Sequence, residues 1–218
     1  SLLFDVKTNK YIGFGTFAIW IVAIIISVAL SINIGASFRS LETKVERVDL
    51  ITDSTNNYNF KISDEHKNFV LPSEDEIESV NDLHIFINSR LMIENGKKLK
   101  NYPDINFRVS EDSTAYIEIK YYARGSNSIQ ANENLKSMKY KYLTDTALIY
   151  FDPFVNLNSD LWRGQELRVN VYLPVGAGFN IDKKLSPLVD IDDASGKLDE
   201  CDLTGKELLV TQQGFIIK

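Results

Sequence analysis

The chain has 218 residues, 44% of them hydrophobic, and a net charge of −6, which suits one soluble domain with an added apolar segment rather than two full domains. The acidic balance gives no electrostatic footprint for nucleic acid, and two His with one Cys, all widely spaced, argue against a zinc site and allow no internal disulfide. Twelve Phe and ten Tyr against two Met and two Trp favour a β-rich core, because flat side chains suit a pleated surface.

Residues 1–10 read as a juxtamembrane segment and 11–38 as a transmembrane helix. From Tyr11 to Phe38 no charged side chain occurs over 28 residues. As a helix this run extends about 42 Å, against a hydrocarbon core of about 30 Å. Gly35-Ala36-Ser37 is a small-residue cluster of the kind signal peptidase accepts, but a signal peptide's apolar region spans only about 7–15 residues, so a retained helix is the expectation. Residue 1 is Ser rather than Met, so the sequence reads as a segment or a processed product. Ala23, Ser27, Ser31 and Gly35 recur every four residues and form a possible helix-packing face, since small side chains let a second helix approach closely in lipid. The partners implied are the lipid bilayer and a membrane protein or a second copy of the chain. Lys7 and Lys10 precede the span and Arg39, Lys44 and Arg47 follow it, a margin of one cation that slightly favours a cytoplasmic C-terminal side without settling topology.

Residues 39–80 read as linker with an initial strand, and 81–218 as the β-rich domain. Leu41, Val45 and Val48 continue a helical phase for a turn or two past the bilayer. A strand-like run follows at Tyr58–Ile62, then an acidic cluster at Glu74, Asp75, Glu76 and Glu78. From Leu83 the period becomes two: Leu83, Ile85 and Ile87; then Ile105, Phe107 and Val109; then Ile117, Ile119 and Tyr121. Asn95-Gly96 is a hairpin-turn signal, and Lys97, Lys98 and Lys100 beside it read as a solvated tip. One helix interrupts the strands, from Ser128 to Met138, with Ser126 or Asn127 as cap and Ala131, Leu135 and Met138 on one face. Strands are expected next at Ala147–Phe151, Leu167–Leu173, Phe179–Ile181, Leu188–Ile191 and Leu208–Val210. Short strands between turns fit a sandwich, a barrel or a stacked solenoid, and no fixed-length repeat chooses among them.

Catalytic templates fail on spacing or inventory. His66 and His84 are the available imidazoles, and His84 sits within an alternating strand. The acidic loop from Asp190 through Asp192, Asp193 and Asp199 misses the calcium-loop pattern at Ala194, Gly196 and Cys201. No phosphate-binding glycine loop occurs, so no catalytic, cofactor or metal residue is assigned and no cofactor is expected. Tyr121-Tyr122 and Tyr140/Tyr142 suit cross-strand pairs better than sugar platforms. Trp162, Arg163 and Gln165 form a possible interaction site or structural corner: Gly164 permits the turn, Trp162 covers the end of the sheet, and Arg163 stacks on an aromatic or pairs with a carboxylate. Pro174 then ends the strand by withholding a ladder donor.

The runs "YPDINFRVSED", "YIEIKYYARGSNSIQANENLKSMKYKY" and "ALIYFDPFVNLNSDLWRGQELRVNVYLPVGAGFNID" resemble the C-terminal part of the PspC-related (phage shock protein C-like) membrane proteins of Bacteroidetes. The apolar segment after "LLFDVKTNK" is similar to the last helix of their membrane region. "ARGS", "WRGQ" and "LPVG" in this order carry the resemblance, which spans about residues 1–40 and 100–185. It implies a mainly β fold: one N-terminal transmembrane helix, then a stacked-strand toast-rack, β-solenoid-like, with one inserted helix. It also implies an inner-membrane protein whose domain lies on the extracytoplasmic, periplasmic side, and a non-enzymatic role in envelope-stress sensing or signalling. An accessory subunit that stabilises a larger inner-membrane complex is the alternative, and a surface-glycan enzyme a third.

Overall fold

The computed structural model describes residues 10–51, 56–69, 91–94, 98–158, 161–191 and 200–218. The alternation at 83–87, His84, Asn95-Gly96, Lys97, the acidic cluster at 74–78 and the loop at 192–199 lie outside the described residues. The first element is helix α1 (Lys10–Ala36), close to the span expected at 11–38. From Phe14 to Ala36 it is long and apolar enough to cross a bilayer and none of it is buried in the protein, which supports a membrane-anchored chain.

The rest is mainly β, with 13 strands in two sheets among the described residues. The strands are β1 (Ser40–Asp49), β2 (Asn57–Ile62), β3 (Leu91–Glu94), β4 (Lys98–Asn101), β5 (Asp104–Val109), β6 (Tyr116–Gly125), β7 (Met138–Asp145), β8 (Leu148–Leu157), β9 (Glu166–Leu173), β10 (Gly178–Ile181), β11 (Val189–Ile191), β12 (Glu207–Thr211) and β13 (Gly214–Ile217). One sheet runs β1-β6-β9-β5-β11, antiparallel across its first three strands and parallel across its last three. The other runs β13-β12-β10-β2-β8-β4-β3, with β7 on β8. In that sheet β2 lies parallel to both β10 and β8.

The alternation that marks these strands in the sequence is also what joins the sheets. In β6 and β9 every second residue is buried, Ile117, Ile119, Tyr121 and Ala123 facing the same way as Leu167, Val169, Val171 and Leu173. Phe107 of the first sheet meets Phe60 (ring centroids 4.9 Å, 83°) and Phe179 (5.6 Å, 13°) of the second. Phe60 also stacks on Phe151 at 6.1 Å, so one aromatic cluster ties the two faces together.

Helix α2 (Ser128–Ser137) begins where expected: Asn127 caps it by accepting from the Gln130 N–H, and Ala131 and Leu135 are buried. The sequence carried it to Met138, but Met138 is extended (φ −75°, ψ 131°) and opens β7. α2 lies across the end of β6 so closely that a Cβ on Gly125 would stand 2.4 Å from the Ala131 nitrogen.

One expectation is overturned. Leu41, Val45 and Val48 do not continue a helix; Ser40–Asp49 is β1, paired with β6 in ten consecutive register pairs from Ser40↔Gly125 to Asp49↔Tyr116. The i, i+4, i+7 spacing misled because β1 is an edge strand. Its half-buried positions include Glu42, Glu46 and Val48, whereas Leu41 and Val45 stand in solvent.

Candidate functional site

The Trp162–Gln165 corner is built where three chain segments meet. Gly164 has φ +62°, a left-handed backbone that glycine adopts without a Cβ clash, and this turns the chain into β9. The turn is closed by the Arg163 N–H donating to Gln165 Oε1 at 2.5 Å, with the Gln165 side chain fully buried. The Gln165 carbonyl accepts from Asn101 Nδ2 at 2.7 Å, which ties the corner to the end of β4. The Arg163 carbonyl accepts from the Arg124 N–H at 2.8 Å, which ties it to β6. The Arg124 stem runs over Gly164, 3.2 Å from where a Cβ would stand.

This corner holds the chain leaving α1. Phe38, two residues beyond the helix, packs on Trp162 with centroids 5.9 Å apart, and the Arg163 guanidinium lies 5.7 Å over the Phe38 ring. Arg124 donates to the Phe38 carbonyl at 3.3 Å. The helix end itself is closed by the Phe38 and Arg39 N–H groups, which donate to the carbonyls of Gly35 and Ala36. Asn101 Oδ1, Trp162 Nε1 and Gln165 Nε2 are buried without a hydrogen-bond partner among the described residues.

A second cluster gathers around His66, for which the sequence offered no partners. Opposite Lys141 of β7, strand β8 carries three residues, Asp152-Pro153-Phe154, between the pairs Tyr142↔Phe151 and Tyr140↔Val155. The bulge follows from Pro153, which has no ladder donor. On its other edge β8 pairs with β2 before the bulge and with β4 after it. The bulge buries Asp152 (3% exposed), whose carboxylate accepts from the Phe154 N–H at 3.0 Å. His66, on the short 3-10 turn Asp64–His66, places Nδ1 3.6 Å from Asp152 Oδ1 and 3.3 Å from Ser63 Oγ. Burial lifts the Asp152 carboxyl above its ordinary range, although the Phe154 N–H and His66 act against it. The Tyr140 hydroxyl is buried nearby without a hydrogen-bond partner among the described residues, and burial and then Asp152 push its proton affinity well up. Phe154 collects His66, Phe69 and Tyr102 around it, and burial pushes the Tyr102 phenol up to about 12.

Ser63, His66 and Asp152 are the types of a nucleophile, base and orienter, but both Ser63 and Asp152 address the same ring nitrogen. A relay needs them on opposite nitrogens, so the cluster lacks that geometry. The adjoining cavity, about 470 Å³, is lined by Ser63, Glu65, Lys141, Tyr150 and Asp152 among others. No group of three or more His, Cys, Asp or Glu able to hold a metal occurs among the described residues.

On α1 the stripe of Ala23, Ser27, Ser31 and Gly35 is exposed. Ser27 Oγ donates to the Ala23 carbonyl and Ser31 Oγ to the Ser27 carbonyl, both at 2.8 Å. The hydroxyls are thus satisfied within the helix, and what the stripe presents outward is low relief rather than free donors.

A family described as the toast-rack found in some PspC proteins matches residues 92–215. Among solved structures the chain is similar to a candidate adhesin from Parabacteroides merdae ATCC 43184, solved at 1.75 Å, with 9% identity and a TM-score of 0.24. That match covers 66% of this chain and 36% of the other, so this chain spans about a third of that protein's length. The curated proteins give no match.

Proposed function

The chain belongs to the toast-rack family found in PspC proteins, and on that footing we propose that it is a non-enzymatic, membrane-anchored envelope protein. In this reading α1 spans the inner membrane once, the rack faces the extracytoplasmic side, and the protein serves envelope-stress sensing or signalling through protein contacts. The observation that carries the reading is the seat of Phe38 between Trp162 and Arg163, which makes the position of the helix end a property of the sheet. The toast-rack family is not an enzymatic one, and the single-nitrogen geometry at His66 supports the absence of a relay.

A strain lacking the protein, complemented with wild type or Phe38→Ala, tests the proposal. Wild type restores the transcriptional response to envelope damage, whereas Phe38→Ala, at equal abundance and with an unchanged rack, lowers it. A full response from Phe38→Ala refutes the coupling. A cysteine placed at exposed Glu65, in a Cys201→Ser background, should react with a membrane-impermeant maleimide applied from the extracytoplasmic side; protection there reverses the topology.

The accessory-subunit reading draws on the low-relief stripe of α1, which suits packing against a membrane helix. Purification in mild detergent decides it: a large stoichiometric partner favours the subunit, and its absence favours the sensor.

A further inference from the structure

We infer that the junction between α1 and the rack is a binding site for the phosphate headgroup of an anionic phospholipid, formed by Arg39, Arg124 and Arg163 beside Trp162. The inference rests on the reading above that α1 crosses the membrane. The 27 residues of α1 extend about 40 Å, whereas the hydrocarbon core is about 30 Å and the bilayer with its headgroups about 40–45 Å, so the end at Ala36 falls within the headgroup layer. Phe38 is two residues further on, and the Trp162 ring is 5.9 Å from it, so the corner is held at headgroup depth by contacts already described. An amphipathic indole suits that depth.

Three arginines from separate segments border this junction, Arg124 and Arg163 against Phe38 and Arg39 next to it in the chain. Arg39 precedes β1 and is exposed; Arg124 stands on β6 beside Leu41 in register; Arg163 belongs to the corner. None of the three has an ion-pair partner among the described residues, whereas Arg47 pairs with Asp49, Lys120 with Glu118 and Arg168 with Glu166 further along the same sheet face. Arg124 and Arg163 each use one N–H group on a carbonyl, of Phe38 and Trp162 respectively, which fixes the fork while leaving most of its five donors for a phosphate. Exposed apolar side chains stand on the same segments: Leu41, the register partner of Arg124, is 48% exposed, and Leu161, next to Trp162, is 58% exposed. Unpaired cations among exposed apolar groups, at the depth set by the helix, are what a phospholipid surface complements.

The test uses the full chain in lipid nanodiscs containing phosphatidylcholine with a minor fraction of phosphatidylglycerol. In a Trp20→Phe background Trp162 is the remaining tryptophan, and the quencher is carried either on the anionic or on the zwitterionic lipid at equal mole fraction. The anionic lipid should quench Trp162 more strongly. Each Arg→Gln change at 39, 124 or 163 should lower that preference about fivefold, and Arg→Lys should retain much of it. Equal quenching by both lipids, or an unaltered preference in the triple Gln variant with a native circular dichroism spectrum, overturns the site. Loss of the preference on adding inorganic phosphate also overturns it, by assigning the arginines to a soluble anion. Trp20 in a Trp162→Phe protein reports the span separately. If acyl-chain quenchers fail to reach Trp20, the membrane reading falls; if they reach it and Trp162 shows no preference, only the headgroup site falls.

Discussion

Gly164→Ala is the sharpest perturbation of the corner, and Gly176→Ala is its internal control. Both glycines have left-handed backbones, φ +62° and +87°, so each substitution incurs about 1–2 kcal/mol for placing a Cβ there. At Gly176 nothing lies within 4 Å of the new atom, so that strain is the whole effect. At Gly164 the Cβ meets Arg124 Cδ at 3.2 Å, and the stem must swing away from the corner that it holds against Phe38. Each kilocalorie shifts the melting temperature of a domain of this size by about 2–4 °C. Gly176→Ala should therefore melt about 2–8 °C below wild type, with Trp162 emission unchanged in a Trp20→Phe background. Gly164→Ala should melt at least as low and also change that emission, because Phe38 loses a contact. Thermal unfolding followed by circular dichroism, with fluorescence of the same samples, decides the matter. Equal melting of Gly164→Ala and wild type, or an emission change in Gly176→Ala alone, would show that the corner is not held in this way.

Phe60→Ala should cost about 3–5 kcal/mol in denaturant unfolding, since Phe60 is fully buried among Phe107, Phe151 and Phe179 and its loss leaves a cavity between the sheets; a cost under 1 kcal/mol would contradict this packing. Asp152 has a raised folded-state pKa, so its stabilising share is present below the unfolded carboxylate range and is lost as pH rises through the folded value. Asp152→Asn should accordingly match or exceed wild-type stability at neutral pH, with the gap closing in acid; a variant that weakens only as pH rises would reverse that sign. Ser27→Leu with Ser31→Leu should weaken self- or partner association of α1 in a membrane reporter, and unchanged association would remove the stripe as a packing face.

The strands legible in the sequence are those whose apolar side is also their buried side. Leu167, Val169, Val171 and Leu173 alternate without exception because β9 lies inside its sheet with β6 and β5 on its flanks. Edge strands broke that link. β1 buries part of Glu42 and Glu46 while exposing Leu41 and Val45, so hydrophobicity pointed to the wrong periodicity. β13 escaped detection because two of its four residues, Ile216 and Ile217, remain partly in solvent at the sheet's end. The start of β7 was hidden by its neighbour: Met138 continues the face of Ala131 and Leu135, and only the extended backbone there shows that the helix has stopped. At the site, the turn chemistry of Gly164 was readable locally. The choice of Phe38 as the aromatic under Arg163 depends on β1 pairing with β6, a contact across some eighty residues that no local pattern encodes. The meeting of His66 with Asp152 is equally non-local, and the bulge at Pro153 was its sole local trace.

The ten-pair register of β1 on β6 also has a mechanical consequence. Tension drawn from α1 along the strand axis loads the whole ladder in shear, so its hydrogen bonds share the load and yield together. The same tension applied across the strand would open the ladder from Ser40↔Gly125 one pair at a time, each bond bearing the load alone. The chain is therefore stiff to a pull along β1 and compliant to a sideways one, and it responds to the direction of a force as well as to its size.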